Sequence, residues 1–247
     1  MAFLSPDNVR YDNGVKICEK IIPDSAVWNR DVKEGGYTYR KGTTYKANRP
    51  LSAIKGVTIH NTGRIRIPNG TTMAEQYTRA TYPNCNMGSV RVHYYVDENE
   101  AWQNLDEGEV GWHAADGNYG PGNSTTVAIE IIMDGTDAEY NRIAEDNGAR
   151  LCAAILKRHG LDETAVYQHQ DWYARKDCPA YIRPHWSAFL ALVRQYLNDD
   201  AQAPSDYYKL VAELEEIKEK YRTEHASAQA LRGRILAAIE QYDTVAK

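Results

Sequence analysis

Three side chains with metal-binding chemistry lie far apart in this chain: His60, His169 and Cys178. The last two share the stretch VYQHQDWYARKDCPAYIRP, Val166 to Pro184, but nine residues separate them, so no helical face holds both. A hydrolytic zinc site takes about three protein ligands of imidazole, thiolate or carboxylate type and keeps one position open for water. Taken singly, each residue has a plainer reading: an isolated histidine is usually a surface or satisfied core residue, and a lone cysteine behaves as a small hydrophobe. Two local features favour ligation. His60 stands on the polar face of a strand otherwise aimed at a core, and Lys176, two residues before Cys178, favours the thiolate that binds metal.

Two more residues complete a chemistry. Glu130 interrupts an apolar strand, where desolvation raises a carboxyl pKa and suits it to take a proton from an activated water; the alternative is a salt bridge to Arg or Lys. Lys176 can hold the oxyanion of a tetrahedral intermediate, or can be an ordinary solvated loop lysine.

These residues need elements to carry them. GVTIHNTG, Gly56 to Gly63, alternates Val57 and Ile59 with Thr58 and His60 and reads as a half-buried strand. VRVHYYVDE (Val90 to Glu98) and AWQNL (Ala101 to Leu105) flank Asn99-Glu100 as a hairpin. STTVAIEIIMD is a further strand, with Val127, Ile129, Ile131 and Met133 on one face and Thr126, Ala128, Glu130 and Ile132 on the other. Leu151, Cys152, Ile155 and Leu156 mark an amphipathic helix ending at Gly160, a good left-handed cap, with Cys152 as a core residue. AVYQHQD is a short β segment, and HWSAFLALVRQYL a second helix. Strands mixed with helices over residues 25 to 198 predict an α/β domain, a single mixed central sheet flanked by helices. The expected organisation is a catalytic domain over 1–198, a linker over 199–204 and a helical tail over 205–247. In the tail Leu210, Leu214, Ile217 and Tyr221 follow 4-3-4 spacing, a seam for helix packing through which copies of the chain can associate.

Bulk properties mainly exclude. A net charge of -5 with no basic block argues against a nucleic-acid partner. The start, MAFLSPDNVRYDNGVKICEK, lacks the basic and apolar regions of a secretory signal, and no apolar run is long enough for membrane insertion, so synthesis in a cytoplasm is expected. Four scattered cysteines do not read as a disulfide framework.

Taken together and in order, GVTIHNTG, VHYYVDENEAWQNL, GWHAADGN, STTVAIEI and YQHQDW with KDCP resemble the type-2 N-acetylmuramoyl-L-alanine amidases, a zinc hydrolase family that includes phage endolysins and is related to peptidoglycan recognition proteins. The likeness runs from Asn48 to about Leu197. It implies zinc held by His60, His169 and Cys178, Glu130 as general base, and Lys176 as the residue that stabilises the transition state. Trp112 and His113 resemble residues lining the substrate groove, and His93 is read as a structural or groove residue. The loop Trp172 to Lys176 is one residue longer than in many relatives, which raises the question whether Arg175 acts beside Lys176; the K-x-C register favours Lys176. Val92 stands where one branch of the superfamily, which lacks the glutamate, has tyrosine. The implied partner is bacterial peptidoglycan and the implied reaction is hydrolysis of the amide joining N-acetylmuramic acid to L-alanine, by a phage or prophage endolysin that reaches the wall after release from the cytoplasm. The alternatives are a bacterial recycling amidase and a recognition module that binds peptidoglycan without cutting it; related non-catalytic proteins typically lack the cysteine. A purely structural zinc would need a fourth protein ligand, and none is evident near Cys178.

Overall fold

Seven strands meet in one mixed sheet whose middle is built from the segments that carry His60 and Glu130. The computed structural model describes residues 4–63, 70–85, 87–199, 220, 221, 223 and 224. The chain divides into a unit ending at Asp200 and a second from Ala201 to Lys247. The linker and helical seam expected for the second fall almost wholly outside the described residues.

In chain order the strands are β1 (Asn8–Asp12), β2 (Val15–Glu19), β3 (Val32–Glu34), β4 (Tyr37–Tyr39), β5 (Gly56–Gly63), β6 (Tyr94–Val96), β7 (Ala101–Gln103), β8 (Thr126–Met133) and β9 (Val166–Gln168). The helices are α1 (Met73–Thr81), α2 (Pro121–Thr125), α3 (Ala138–Arg158), α4 (His169–Trp172) and α5 (Trp186–Asn198). The main sheet runs β1-β2-β7-β6-β8-β5-β9, and β3 and β4 pair separately. β6, β8, β5 and β9 are mutually parallel, while β1 pairs antiparallel with β2 and β6 with β7.

One face of the sheet is apolar. Val57, Ile59, Val127, Ile129 and Ile131 are fully buried there, and α3 packs across them so closely that a Cβ at Gly148 would sit 2.3 Å from Ile131 Cδ1. α3 spans 21 residues, capped by the Asp137 carboxylate on Tyr140 N and ended by Gly160 at φ +64°, a left-handed position that suits glycine. The opposite face carries Thr58, His60, Ala128, Glu130 and Tyr95, in register across β5, β8 and β6.

Here the expectation of a half-buried β5 is corrected. Gly56 through His60 are all buried, because loops and α4 cover the polar face of β5 as α3 covers the other. The predicted hairpin is also shorter, Tyr94–Val96 against Ala101–Gln103, since the Asp97 carboxylate turns the chain by accepting from Asn99 N and Glu100 N at 2.8 and 3.0 Å. Upstream of it Arg91 pairs with Trp112 rather than within the hairpin. The β1–β2 hairpin and α1 are among the elements that the sequence patterning above did not include. The β1–β2 hairpin extends the sheet before residue 25 and turns on Asn13-Gly14, both at positive φ, the strongest short-range hairpin signal a sequence offers. α1 is announced by Thr72, whose hydroxyl accepts from Glu75 N at 3.1 Å.

Candidate metal centre and active site

The register His60↔Glu130 sets the site. Both residues sit on the polar face of adjacent parallel strands, and β9, paired on the other edge of β5, runs directly into α4, which begins with His169. Local bonds fix each approach. Trp172 Nε1 donates to Thr58 Oγ1 at 2.9 Å, pinning α4 over β5, and Asp171 accepts from Gln168 N at 2.7 Å to start that helix. The Cys178 loop is tied on three sides: Gln170 N donates to Cys178 O at 3.1 Å, Tyr181 N donates to Asn61 Oδ1 at 3.1 Å, and Arg183 joins Gln168 Oε1 to the Asp177 carboxylate.

The outcome is convergence. Donor atoms of His60, His169 and Cys178 all lie within 4.8 Å of one another, all three residues buried. His60 Nδ1 is 3.0 Å from His169 Nδ1 and 3.8 Å from Cys178 Sγ. The remaining nitrogen, His60 Nε2, faces His113 Nδ1 at 3.1 Å. His169 Nε2 and His113 Nε2 are enclosed without a hydrogen-bond partner among the described residues.

Burial governs the charges. Desolvation, reinforced by His113, His169 and Lys176, holds His60 well below the usual histidine range. Desolvation and Lys176 bring His169 down to about 4. Neutral imidazoles are the ligating form. Glu130 is pushed up to about 8 by desolvation against a weaker pull from Lys176, and its Oε2 is enclosed without a hydrogen-bond partner. Among the described residues Glu130 makes no salt bridge: Lys176 reaches it through its field rather than as an ion pair. Cys178 corrects a sequence expectation. Burial and the Glu130 charge push its thiol up to about 12, outweighing the Asn61 N–H and Lys176, so the nearby lysine alone does not hold the thiolate. A bound cation deprotonates a coordinating thiol outright.

Two nitrogens and a sulfur at one enclosed point, with no fourth donor in that group among the described residues, fit a tetrahedral zinc site that keeps one position free. In the loop, the Lys176 charge acts on His60, His169, Glu130 and Cys178, whereas the exposed Arg175 is not among the causes of their shifts.

The groove expectations divide. Trp112 is half-buried, its backbone N and O each 2.9 Å from Arg91 O and N. His113 is 6 % exposed and turned onto His60 instead of outward. His93 is fully enclosed: Nδ1 accepts from Ala128 N at 2.9 Å, so Nε2 carries the proton and donates to Glu109 O at 2.8 Å. A ring with both nitrogens committed to backbone ties β6 to β8 and does not meet a ligand, which removes His93 from the groove. Asn61 and Asn123 were missed as positioning residues; the signal was an asparagine beside each of two chemistry-bearing segments, IHNTG and PGNST.

An α/β domain that brings two imidazoles, a thiol and an enclosed carboxylate to the polar face of its central strands has the donor set of a metal-dependent hydrolase. The N-acetylmuramoyl-L-alanine amidase family profile matches residues 50–181, and the chain belongs to that family. It is 31% identical over 145 residues to the N-acetylmuramoyl-L-alanine amidase CwlH of Bacillus subtilis, covering 58% of this chain and 55% of CwlH. It is 32% identical over 146 residues to XlyA of the same organism, 58% of this chain and 46% of XlyA. The chain spans about half the length of the curated relatives it matches. Among solved structures, the catalytic domain of XlyA superposes with TM-score 0.57 at 25% identity over 72% of this chain and 99% of that one, and PlyL with 0.53 at 26% over 62% and 90%.

Proposed function

We propose that this chain is a zinc-dependent N-acetylmuramoyl-L-alanine amidase of endolysin type, hydrolysing the amide between the lactyl group of N-acetylmuramic acid and the L-alanine of the stem peptide in bacterial peptidoglycan. One observation carries this reading: His60, His169 and Cys178 converge within 4.8 Å, with Glu130 paired in register to His60 on the next strand. Family membership and the endolysin named among the structural relatives support the substrate.

His60 and His169, through their facing Nδ1 atoms, and Cys178 through Sγ are the residues that hold zinc. Bound there, zinc supplies Lewis-acid polarisation of the scissile carbonyl and acidifies a water molecule. Glu130 takes the proton of the attacking water and delivers it to the leaving L-alanine nitrogen. Burial suits it to both steps, because a carboxyl whose pKa lies near the working pH exchanges protons at little cost in either direction. Lys176 stands at the exposed lip, its charge felt by every residue of the centre, and stabilises the negative charge that develops on the carbonyl oxygen. Burial, with a smaller contribution from the same field, keeps the imidazoles neutral.

Mass spectrometry of purified cell wall digested with the chain tests the assignment. The expected products are intact glycan and stem peptides with a free L-alanine amino terminus. New reducing ends, cuts within the peptide, or binding without release would each refute it.

A further inference from the structure

His113 lies outside the trio but touches it, and its geometry says more than a groove residue would. His60 has two ring nitrogens. Nδ1 points to His169 Nδ1 at 3.0 Å and Cys178 Sγ at 3.8 Å, so it is the nitrogen available to the cluster. A neutral imidazole that ligates through Nδ1 must carry its proton on Nε2, and that atom is 3.1 Å from His113 Nδ1. The two rings stand at 90°, centroids 5.1 Å apart, which directs the edge of one toward the edge or face of the other.

We infer that His113 is a positioning residue for the metal centre: its unprotonated Nδ1 accepts the His60 Nε2–H and so locks His60 in the tautomer and orientation that leave Nδ1 free for zinc. The inference rests on the zinc reading above and deepens it. A ligating histidine generally gives its other N–H to a partner that fixes the ring, and loss of such a partner costs metal affinity. Usually that partner is a carboxylate, a carbonyl or water; here it is a second imidazole.

The segment around His113 is built to hold that ring still. Asn123 Oδ1 accepts from His113 N at 2.8 Å and Ala114 N at 2.9 Å, while Asn123 Nδ2 donates to Gly117 O at 3.0 Å. The Asp116 carboxylate accepts from Gly122 N at 2.7 Å and closes the same loop. A residue that meets substrate would keep a polar atom in solvent. His113 is 6 % exposed, and its Nδ1 is spent on His60.

His113→Asn and His113→Leu make the test, because the two replacements are nearly the same size and only asparagine places an acceptor, Oδ1, where Nδ1 was. Zinc affinity is measured on the full chain by competition with a chromophoric chelator, Co²⁺ absorption reports the coordination, and thermal melting of the metal-free chain reports folding. His113→Leu is expected to weaken zinc binding by about 10- to 100-fold and alter the Co²⁺ spectrum, with His113→Asn recovering most of both. Unchanged affinity in His113→Leu with a raised KM would overturn the inference and return His113 to the groove. Equal loss in both variants, tracking a fall in melting temperature, would overturn it in favour of packing alone. Wild-type chain that binds no zinc would overturn the metal reading itself, an outcome distinct from either.

Discussion

Replacing Glu130 by glutamine should make the metal-free protein more stable and the enzyme nearly inert. Burial holds the Glu130 carboxyl at about 8 against an ordinary value of 4.5, and Oε2 has no hydrogen-bond partner to offset that. A raised folded-state pKa contributes stability that is fully present below the unfolded value and is lost as pH rises through the folded one. The unfolded chain therefore ionises freely from about pH 4.5 while the folded chain resists until about 8. At 1.36 kcal/mol per pKa unit, the wild type at pH 7 forfeits up to about 3 kcal/mol relative to pH 4. Solvent reaching the half-buried residue reduces this to roughly 1–3 kcal/mol. Glutamine is neutral at both pH values and similar in shape. Urea unfolding of wild type and Glu130→Gln, with chelator present, should show the variant gaining stability relative to wild type between pH 4 and pH 7; every other titrating group cancels in the comparison. A zinc ion nearby favours the carboxylate and should narrow the gap. Hydrolysis of cell wall at pH 7 should fall about 10²- to 10⁴-fold with zinc affinity retained. A stability difference that does not change with pH would refute the claim that Glu130 is held protonated by burial, and wild-type turnover in Glu130→Gln would refute its role as base.

The other predictions concern the surrounding charges and donors. Lys176→Ala should lower kcat by about 10²- to 10³-fold while Arg175→Ala stays within about threefold of wild type, and kinetics on soluble muropeptide decides between them; equal losses would give Arg175 a share. Cys178→Ala should abolish stoichiometric zinc in the chelator competition and activity with it, since two imidazoles alone do not make a closed catalytic site. Glu107 is held at about 2 despite burial, because Arg158, His159 and Tyr94 all stabilise its charged form. That lowered value contributes stability present above about 4.5 and lost as pH falls toward 2. Glu107→Gln should thus cost roughly 1–3 kcal/mol at pH 7, after allowance for the part-exposed Arg158, and little near pH 2; a cost that persists in acid would assign Glu107 a packing role instead.

Much of this was readable along the chain because periodicity is a local property. The alternation in GVTIHNTG and TVAIEIIM located β5 and β8, and the apolar positions of α3 and α5 declared their buried faces. The β1–β2 hairpin is equally local, an Asn-Gly turn between alternating segments. Other features were not local. Whether the polar face of β5 met solvent depended on loops from elsewhere closing over it, and the fate of the Cys178 thiol depended on burial competing with a lysine two residues away.

Residue type and local setting, together with the resemblance of the surrounding motifs to a known family, nominated His60, His169, Cys178, Glu130 and Lys176, since few side chains can ligate zinc, carry a proton or hold an anion. What the chain could not declare was distance. The parallel register of β5 with β8 and β9 brings residues 109 and 118 positions apart to within 3.0 and 3.8 Å of one imidazole. That packing also turned His113 and His93 inward, one onto a ligand and the other onto backbone, because hydrogen-bond partners are chosen by which groups become neighbours once water has been expelled.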